Sequence, residues 1–142
     1  MAAMENEPNF TEFTEEFTVT PEMIDRNNHM NNVYGVQWIQ DIAIHHSDTC
    51  GGTKVMESLG ASWMIRTNHI EYKAQAFLGD VIRGTTWVPE YSRITTNRYC
   101  KFVRVSDGKE VFSSVTTWVL IDTEKERPIA IPEHLKDCFR KA

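Results

Sequence analysis

Hydrophobic positions divide the chain into recognisable elements. In FTEFTEEFTV (10–19) the apolar residues are Phe10, Phe13, Phe17 and Val19. The phenylalanine spacing suits a helix, but the threonine density and the Phe17/Val19 pair favour a strand that Pro21 closes. PEMIDRNNHMNN (21–32) is polar and asparagine-rich, the composition of a loop. VYGVQWIQDIAIHHSDTC then places Val33, Val36, Ile39 and Ala43 on one helical stripe, with Ile42 alongside. Asn31 or Asn32 suits its N-cap and Gly51-Gly52 its stop. Trp38 and Ile44 lie off the stripe, so the helix is apolar on more than one face and expected to be deeply buried.

From Ala61 the period shortens to that of strands. Ser62–Ala74, Asp80–Tyr91, Thr95–Ser106 and Lys109–Asp122 are four long candidates. In the last, Val111, Val115, Val119 and Ile121 point one way, and Phe112, Trp118 and Leu120 the other. Asp107-Gly108 between two such runs is a hairpin signal. The connections are too short for crossover helices, so the sheet is antiparallel. Pro132 sits near the first turn of a short C-terminal helix. This pattern predicts an α+β fold in which a curved antiparallel sheet wraps one long central helix. Residues 1–9 read as a flexible tail, and 10–142 as one domain.

Fifteen Lys and Arg stand against twenty Asp and Glu, a net charge of −5. That balance opposes a nucleic-acid binder whose affinity rests on neutralising phosphates, though not a small anion pocket. Cys50, Cys100 and Cys138 form neither a disulfide framework nor a CxxC motif, the cysteine usage of a reducing compartment. No secretory signal and no membrane span can be read, so a cytoplasmic protein without a membrane partner is expected.

The richest polar cluster is Asp25-Arg26-Asn27-Asn28-His29-Met30-Asn31-Asn32, immediately before the buried helix. A helix start offers unsatisfied N–H groups and a positive partial charge that can hold an oxyanion. Asp25 beside it could take a proton from water or attack a carbonyl itself. Asn27 and His29 share its side-chain direction if the segment is extended. This inventory suits acyl transfer, although turn and cap duties would explain the same residues equally well.

DRNNHMNNVYGVQW resembles the hotdog-fold thioesterase signature, in which an aspartate precedes H-[VM]-N-N-x-x-Y at the start of the central helix. The similarity is to 4-hydroxybenzoyl-CoA thioesterase-like proteins and to plant acyl-ACP thioesterases. In the plant pattern, D-x-N-x-H-V-N-N-x-x-Y, the matching positions are Asp25, Asn27, His29, Asn31 and Asn32, with Met30 for the valine and Gly35 at the tyrosine. Trp38 fits the family helix. Ile70-Glu71-Tyr72 with Leu78-Gly79-Asp80, and the stretches Trp118–Asp122 and Arg127–Glu133, extend the likeness over roughly residues 10–137.

The resemblance implies hydrolysis of a fatty or aromatic acyl thioester of CoA, or of acyl carrier protein, without a cofactor. It also implies a homodimer or dimer of dimers, with sites at the subunit interface. Asp25 is then base or nucleophile, Asn27 and His29 position it, and the backbone N–H of Asn31 or Asn32 polarises the carbonyl. Gln75 stands where the plant enzymes carry a glutamate, and glutamine can hold a water but cannot act as its base. Trp38 and Gln75 are the implied substrate contacts, with Arg93 the best candidate for the CoA phosphates. A non-catalytic acyl-thioester binder is the alternative. A hotdog dehydratase is a further rival, but its histidine loop and helix acid are not found.

Arg93, Arg98, Lys101 and Arg104 form either a solvated basic edge or, in part, a phosphate-binding set. Adjacent His45 and His46 face different sides of a helix and make a poor metal site, with Asp41 and His45 expected to pair at i,i+4. Trp63, Trp87, Tyr91 and Phe77 could line an acyl tunnel or simply fill the core.

Overall fold

The computed structural model describes residues 4–141. Strand β1 (Glu5–Asn6) and strand β2 (Glu12–Thr18) lead to helix α1 (Asn32–Cys50) and the short helix α2 (Gly52–Ser58). Four long strands follow: β3 (Ala61–Tyr72), β4 (Val81–Tyr91), β5 (Thr95–Arg104) and β6 (Glu110–Asp122). Strand β7 (Arg127–Pro128) and helix α3 (Glu133–Asp137) end the chain. All pairings are antiparallel in one seven-stranded sheet. Its order is β4-β5-β6-β3, with β1 and β2 on the free side of β4 and β7 on β6.

Strand β2 alternates half-buried and exposed residues along its length, so the period of two prevails over the helical spacing of its phenylalanines. Phe13 stacks on His46 at 5.3 Å and Phe17 on Trp38 at 4.9 Å between ring centroids. Register shifts between Ile65 and Thr67 of β3, and between Trp87 and Glu90 of β4, bend the sheet round α1. The Asp107-Gly108 turn forms as expected: Gly108 takes φ +72°, and its N–H donates to the Arg104 carbonyl.

The apolar stripe of α1 is rotated from the expected one. Gly35, Trp38, Ile39, Ile42, Ala43 and His46 are buried, whereas Val33 is 66% and Ile44 52% exposed. These buried positions follow the i, i+3, i+4 rhythm, and Trp38, Ile39 and Ile42 pack with Phe102, Phe112 and Ile82 of the sheet. A Cβ on Gly35 would lie 3.3 Å from the Phe112 ring, so the missing side chain lets that ring approach the helix.

Helix α2 was not expected. Gly51, with φ +88°, ends α1, but the chain resumes helix at the next residue. The N-terminal segment has partners in the fold. From Glu5 it pairs with β4 (Glu5 with Tyr91, Asn6 with Glu90), and Glu7 accepts from Arg140 Nε at 2.7 Å. Long-range partners hold a segment whose own composition has no structural preference. Residues 1–3 lie outside the described residues.

Candidate active site

The loop between β2 and α1 is folded back on itself. Ile24 bridges Met30, and the Asp25 N–H donates to the His29 carbonyl at 2.9 Å. Asn28, at φ +63°, makes the turn, a conformation asparagine tolerates. The segment is therefore a turn and not an extended run, and Asp25 meets His29 across it.

Asp25 Oδ1 accepts from the N–H groups of Asn27 at 2.8 Å and His29 at 3.2 Å. Its other oxygen takes no hydrogen bond from the described residues. One side of the carboxylate thus shapes the loop and the other is available. The His29 ring meets Phe77 edge-on at 5.4 Å. The Met30 N–H donates to Ala76 at 2.8 Å, which brings the segment holding Gln75 alongside the loop. Gln75 is exposed, lies beyond the end of β3, and its carbonyl accepts from Arg104 Nη1 at 2.6 Å.

Asn31 is the N-cap of α1, its Oδ1 accepting from the Val33 N–H at 3.0 Å. Its own N–H donates to the Met23 carbonyl at 2.7 Å. That removes the Asn31 amide from the expected oxyanion donors. The N–H of Asn32 has no acceptor among the described residues, and Tyr72 Oη donates to its carbonyl at 3.3 Å. One backbone donor, not either of two, remains at the mouth of the helix.

Trp38 lies away from the loop surface. It is 3% exposed and stacks among Phe17, Phe102 and Phe112, as core. Arg93 is exposed in the β4–β5 turn, where its carbonyl accepts from Ile131. Strand β4 starts near the loop, since the Val19 N–H bonds the Asp80 carbonyl. Arg93 therefore follows the end of β4 that lies away from the loop.

The other three basic residues of the expected edge diverge. Lys101 is exposed. Arg104 pairs with Asp107 through Nε at 3.1 Å and Nη2 at 3.0 Å. Arg98 is 5% exposed, and its Nη1 donates to His46 Nδ1 at 2.9 Å and Thr86 Oγ1 at 3.0 Å. This buried cluster was legible only as parity: Arg98 shares its strand face with Cys100 and Phe102, both core. His45 pairs with Glu15 at 2.6 Å instead of Asp41, which accepts from Gln37.

A separate cavity of about 510 Å³ lies between the second half of α1, the inner sheet face and α3. Of the four aromatic tunnel candidates, Trp63 and Tyr91 line it. Trp87 stacks on Tyr99 at 5.8 Å, and Phe77 stands at His29. Arg98 of the expected basic edge lines the cavity too, whereas Asp25, Asn27, His29, Asn31, Asn32, Trp38, Gln75 and Arg93 do not.

A single antiparallel sheet around one long helix, with a polar loop at the helix start, defines the hotdog class. The probable thioesterase YbaW of Escherichia coli superposes with a TM-score of 0.83 at 16% identity, covering 90% of this chain and 98% of that one. The 1,4-dihydroxy-2-naphthoyl-CoA thioesterase of Synechocystis gives 0.81 at 12%, covering 91% and 96%. The 12:0-ACP thioesterase of Umbellularia californica gives 0.82 at 15%, covering 92% of this chain and 51% of that one. The chain thus spans about half the length of that enzyme. At such identities the likeness is one of fold. No curated protein matches it in sequence. Residues 11–139 match the acyl-ACP thioesterase N-terminal domain, and the chain belongs to this family of thioester hydrolases.

Proposed function

We propose that the protein hydrolyses a fatty or aromatic acyl thioester of CoA or acyl carrier protein at the 25–32 loop, with Asp25 as base or nucleophile. The observation that carries the reading is the division of Asp25: one oxygen is anchored by two backbone N–H groups, and the other is left open. An anchored carboxylate is held in place without being consumed by its anchors.

In the base form, the thioester carbonyl oxygen accepts from the Asn32 N–H, where the helix start favours developing negative charge. The free oxygen of Asp25 takes a proton from water as the water oxygen bonds the carbonyl carbon. The tetrahedral intermediate then collapses, the C–S bond breaks and thiolate departs. In the nucleophile form the same oxygen bonds the carbonyl carbon, the C–S bond breaks as thiolate departs, and water cleaves the resulting anhydride to the free acid and the Asp25 carboxylate. His29, across the turn from Asp25, orients the acid, with Asn27 beside it. Gln75 can hold the water, and Phe77 offers an apolar contact to the acyl group. Thiolate is a good leaving group, so no strong general acid is needed.

The reading includes a homodimer or dimer of dimers. β3 is a twelve-residue edge strand, exposed from Met64 to His69, and such an edge seeks a partner strand. An Arg93 contact to CoA phosphates is read as coming from a second protomer, because Arg93 follows the end of β4 away from the loop. The deciding experiment is thiol release from short, long and aromatic acyl-CoAs and from acyl-ACP. Release that disappears in a folded Asp25→Asn variant supports the reading. Undiminished release in that variant removes Asp25 from the chemistry, and no release from any substrate leaves a non-catalytic binder.

A further inference from the structure

The cavity beside α1 has an unusual polar inventory. Most of its wall is apolar: Ala43, Ile44, Met56, Met64, Val88 and Leu135 contribute to it. Three residues that carry buried donors are also part of it. Arg98, 5% exposed, has no carboxylate within salt-bridge reach among the described residues. Tyr91 Oη and Trp118 Nε1 are buried, and neither has a hydrogen-bond partner among the described residues.

Strand register brings the three together. Tyr91 of β4 stands opposite Thr96 of β5, and Thr96 opposite Trp118 of β6. Neighbouring strands are about 4.8 Å apart, so these residues form one short row across the sheet. Arg98 lies two residues beyond Thr96 on the same face, about 6.6 Å along the strand. The Thr96 hydroxyl is already spent on the Glu90 carbonyl at 2.8 Å.

The acceptors in reach do not balance this set. His46 Nδ1 and Thr86 Oγ1 are neutral and occupy Arg98 Nη1 alone. Asp48, the carboxylate on the cavity wall, is exposed and accepts from Thr53 Oγ1 at 2.6 Å. A buried guanidinium without a counter-charge is costly, and so is each buried donor without an acceptor. Such costs are offset when a ligand supplies the missing acceptors.

We infer that this cavity is a receptor for an aliphatic carboxylate, its chain among the apolar residues and its carboxylate on Arg98, Tyr91 and Trp118. The volume falls within the range of about 300–1,000 Å³ usual for small-molecule sites. Burial pushes the Tyr91 hydroxyl well above the usual tyrosine range, so it stays a proton donor. The carboxylate could come from a free fatty acid or from the far end of a dicarboxylic acyl chain still bound as its thioester. Only the second source rests on the hydrolase reading above.

The test is calorimetric titration of the wild-type protein with dodecanoate and with dodecan-1-ol at pH 7.5, below micelle formation. Dodecanoate should bind roughly 10- to 100-fold more tightly, the value of charge-assisted hydrogen bonds. Arg98→Met should erase that preference, and Tyr91→Phe should reduce it. Equal binding of acid and alcohol, no binding of either, or undiminished preference in a folded Arg98→Met variant would overturn the inference. If Arg98→Met does not fold, the acid–alcohol comparison and Tyr91→Phe still decide. Thiol release then separates the sources. An ω-carboxydodecanoyl-CoA preferred over lauroyl-CoA only when Arg98 is present points to the thioester-borne acid. No such preference, alongside dodecanoate binding, points to the free acid. Because binding is read without turnover, loss of catalysis and loss of this site are distinguishable.

Discussion

Arg98 Nη1 donates to His46 Nδ1 across 2.9 Å in the buried interior. An arginine carries no acceptor, so Nδ1 must be the bare nitrogen of the imidazole and Nε2 its N–H. Nε2 faces Thr11 Oγ1 at 3.4 Å, and that hydroxyl donates to the Phe139 carbonyl at 3.2 Å. The pair thus ties α1 and β5 to the residue before β2 and to the segment after α3. Burial, then the Arg98 charge, holds the His46 pKa down to about 3.

Acidification should therefore unfold the protein early. The unfolded chain protonates His46 near 6.5 and the folded one only near 3. Stability from this group is complete above pH 6.5 and is lost as pH falls towards 3, by about 2 kcal/mol at pH 5. His45 works in the opposite sense. Its hydrogen bond to Glu15 raises its pKa, so that pair stabilises below 6.5 and weakens as pH rises through the raised value. This pair is half-exposed, so its contribution is about 0.2–1 kcal/mol. Urea unfolding at pH 7 and pH 5 should show the net acid loss, and His46→Gln should flatten it. A wild-type midpoint that does not change with pH would contradict a neutral buried His46.

Asp25→Asn separates chemistry from loop structure. Asparagine keeps the Oδ1 acceptor for the Asn27 and His29 N–H groups, so the thermal midpoint should move little. Turnover should fall by about 10²- to 10⁴-fold, the usual value of a general base. Asp25→Ala loses both hydrogen bonds as well and should destabilise by about 0.5–1.5 kcal/mol for each. Thermal melts and thiol release on the two variants together give the check.

Asn31→Ala should do the reverse. The side chain caps α1, and its loss should cost about 0.5–2 kcal/mol. Because the Asn31 N–H is committed to Met23, turnover measured well below the melting point should fall far less than in Asp25→Asn. Comparable losses in the two variants would place the Asn31 side chain in the chemistry.

Gly84→Ala probes the packing of α1 on the sheet. A Cβ there would lie 2.7 Å from Phe102 Cε1 and 3.0 Å from Ile42 Cδ1. Both side chains are fully buried, so neither can move without disturbing its neighbours. Overpacking should cost about 1–3 kcal/mol, read as a lowered urea midpoint with an unchanged slope. An unchanged midpoint would mean that the core relaxes more easily than its density implies.

The alternation of β2, β4, β5 and β6, the Asp107-Gly108 turn and the helix after Asn31 could all be read from residue order, because they rest on local backbone preference and side-chain period. The 25–32 loop was legible for the same reason: its polar residues stand together before a helix start. Gly51-Gly52 marked the end of α1 correctly, but a helix stop says nothing about whether another helix begins at once.

Period shows that a segment has faces, but only the assembled fold decides which face is covered. That is why Val33 and Ile44 of α1 are open while Gly35 and His46 are buried. The Met23 carbonyl that claims the Asn31 amide, the strand that docks Glu5 and Asn6, and the enclosure of Arg98 all come from parts of the chain that sequence order does not place side by side. Their energies depend on desolvation and on a partner's position. Both exist only after the sheet has closed round its helix.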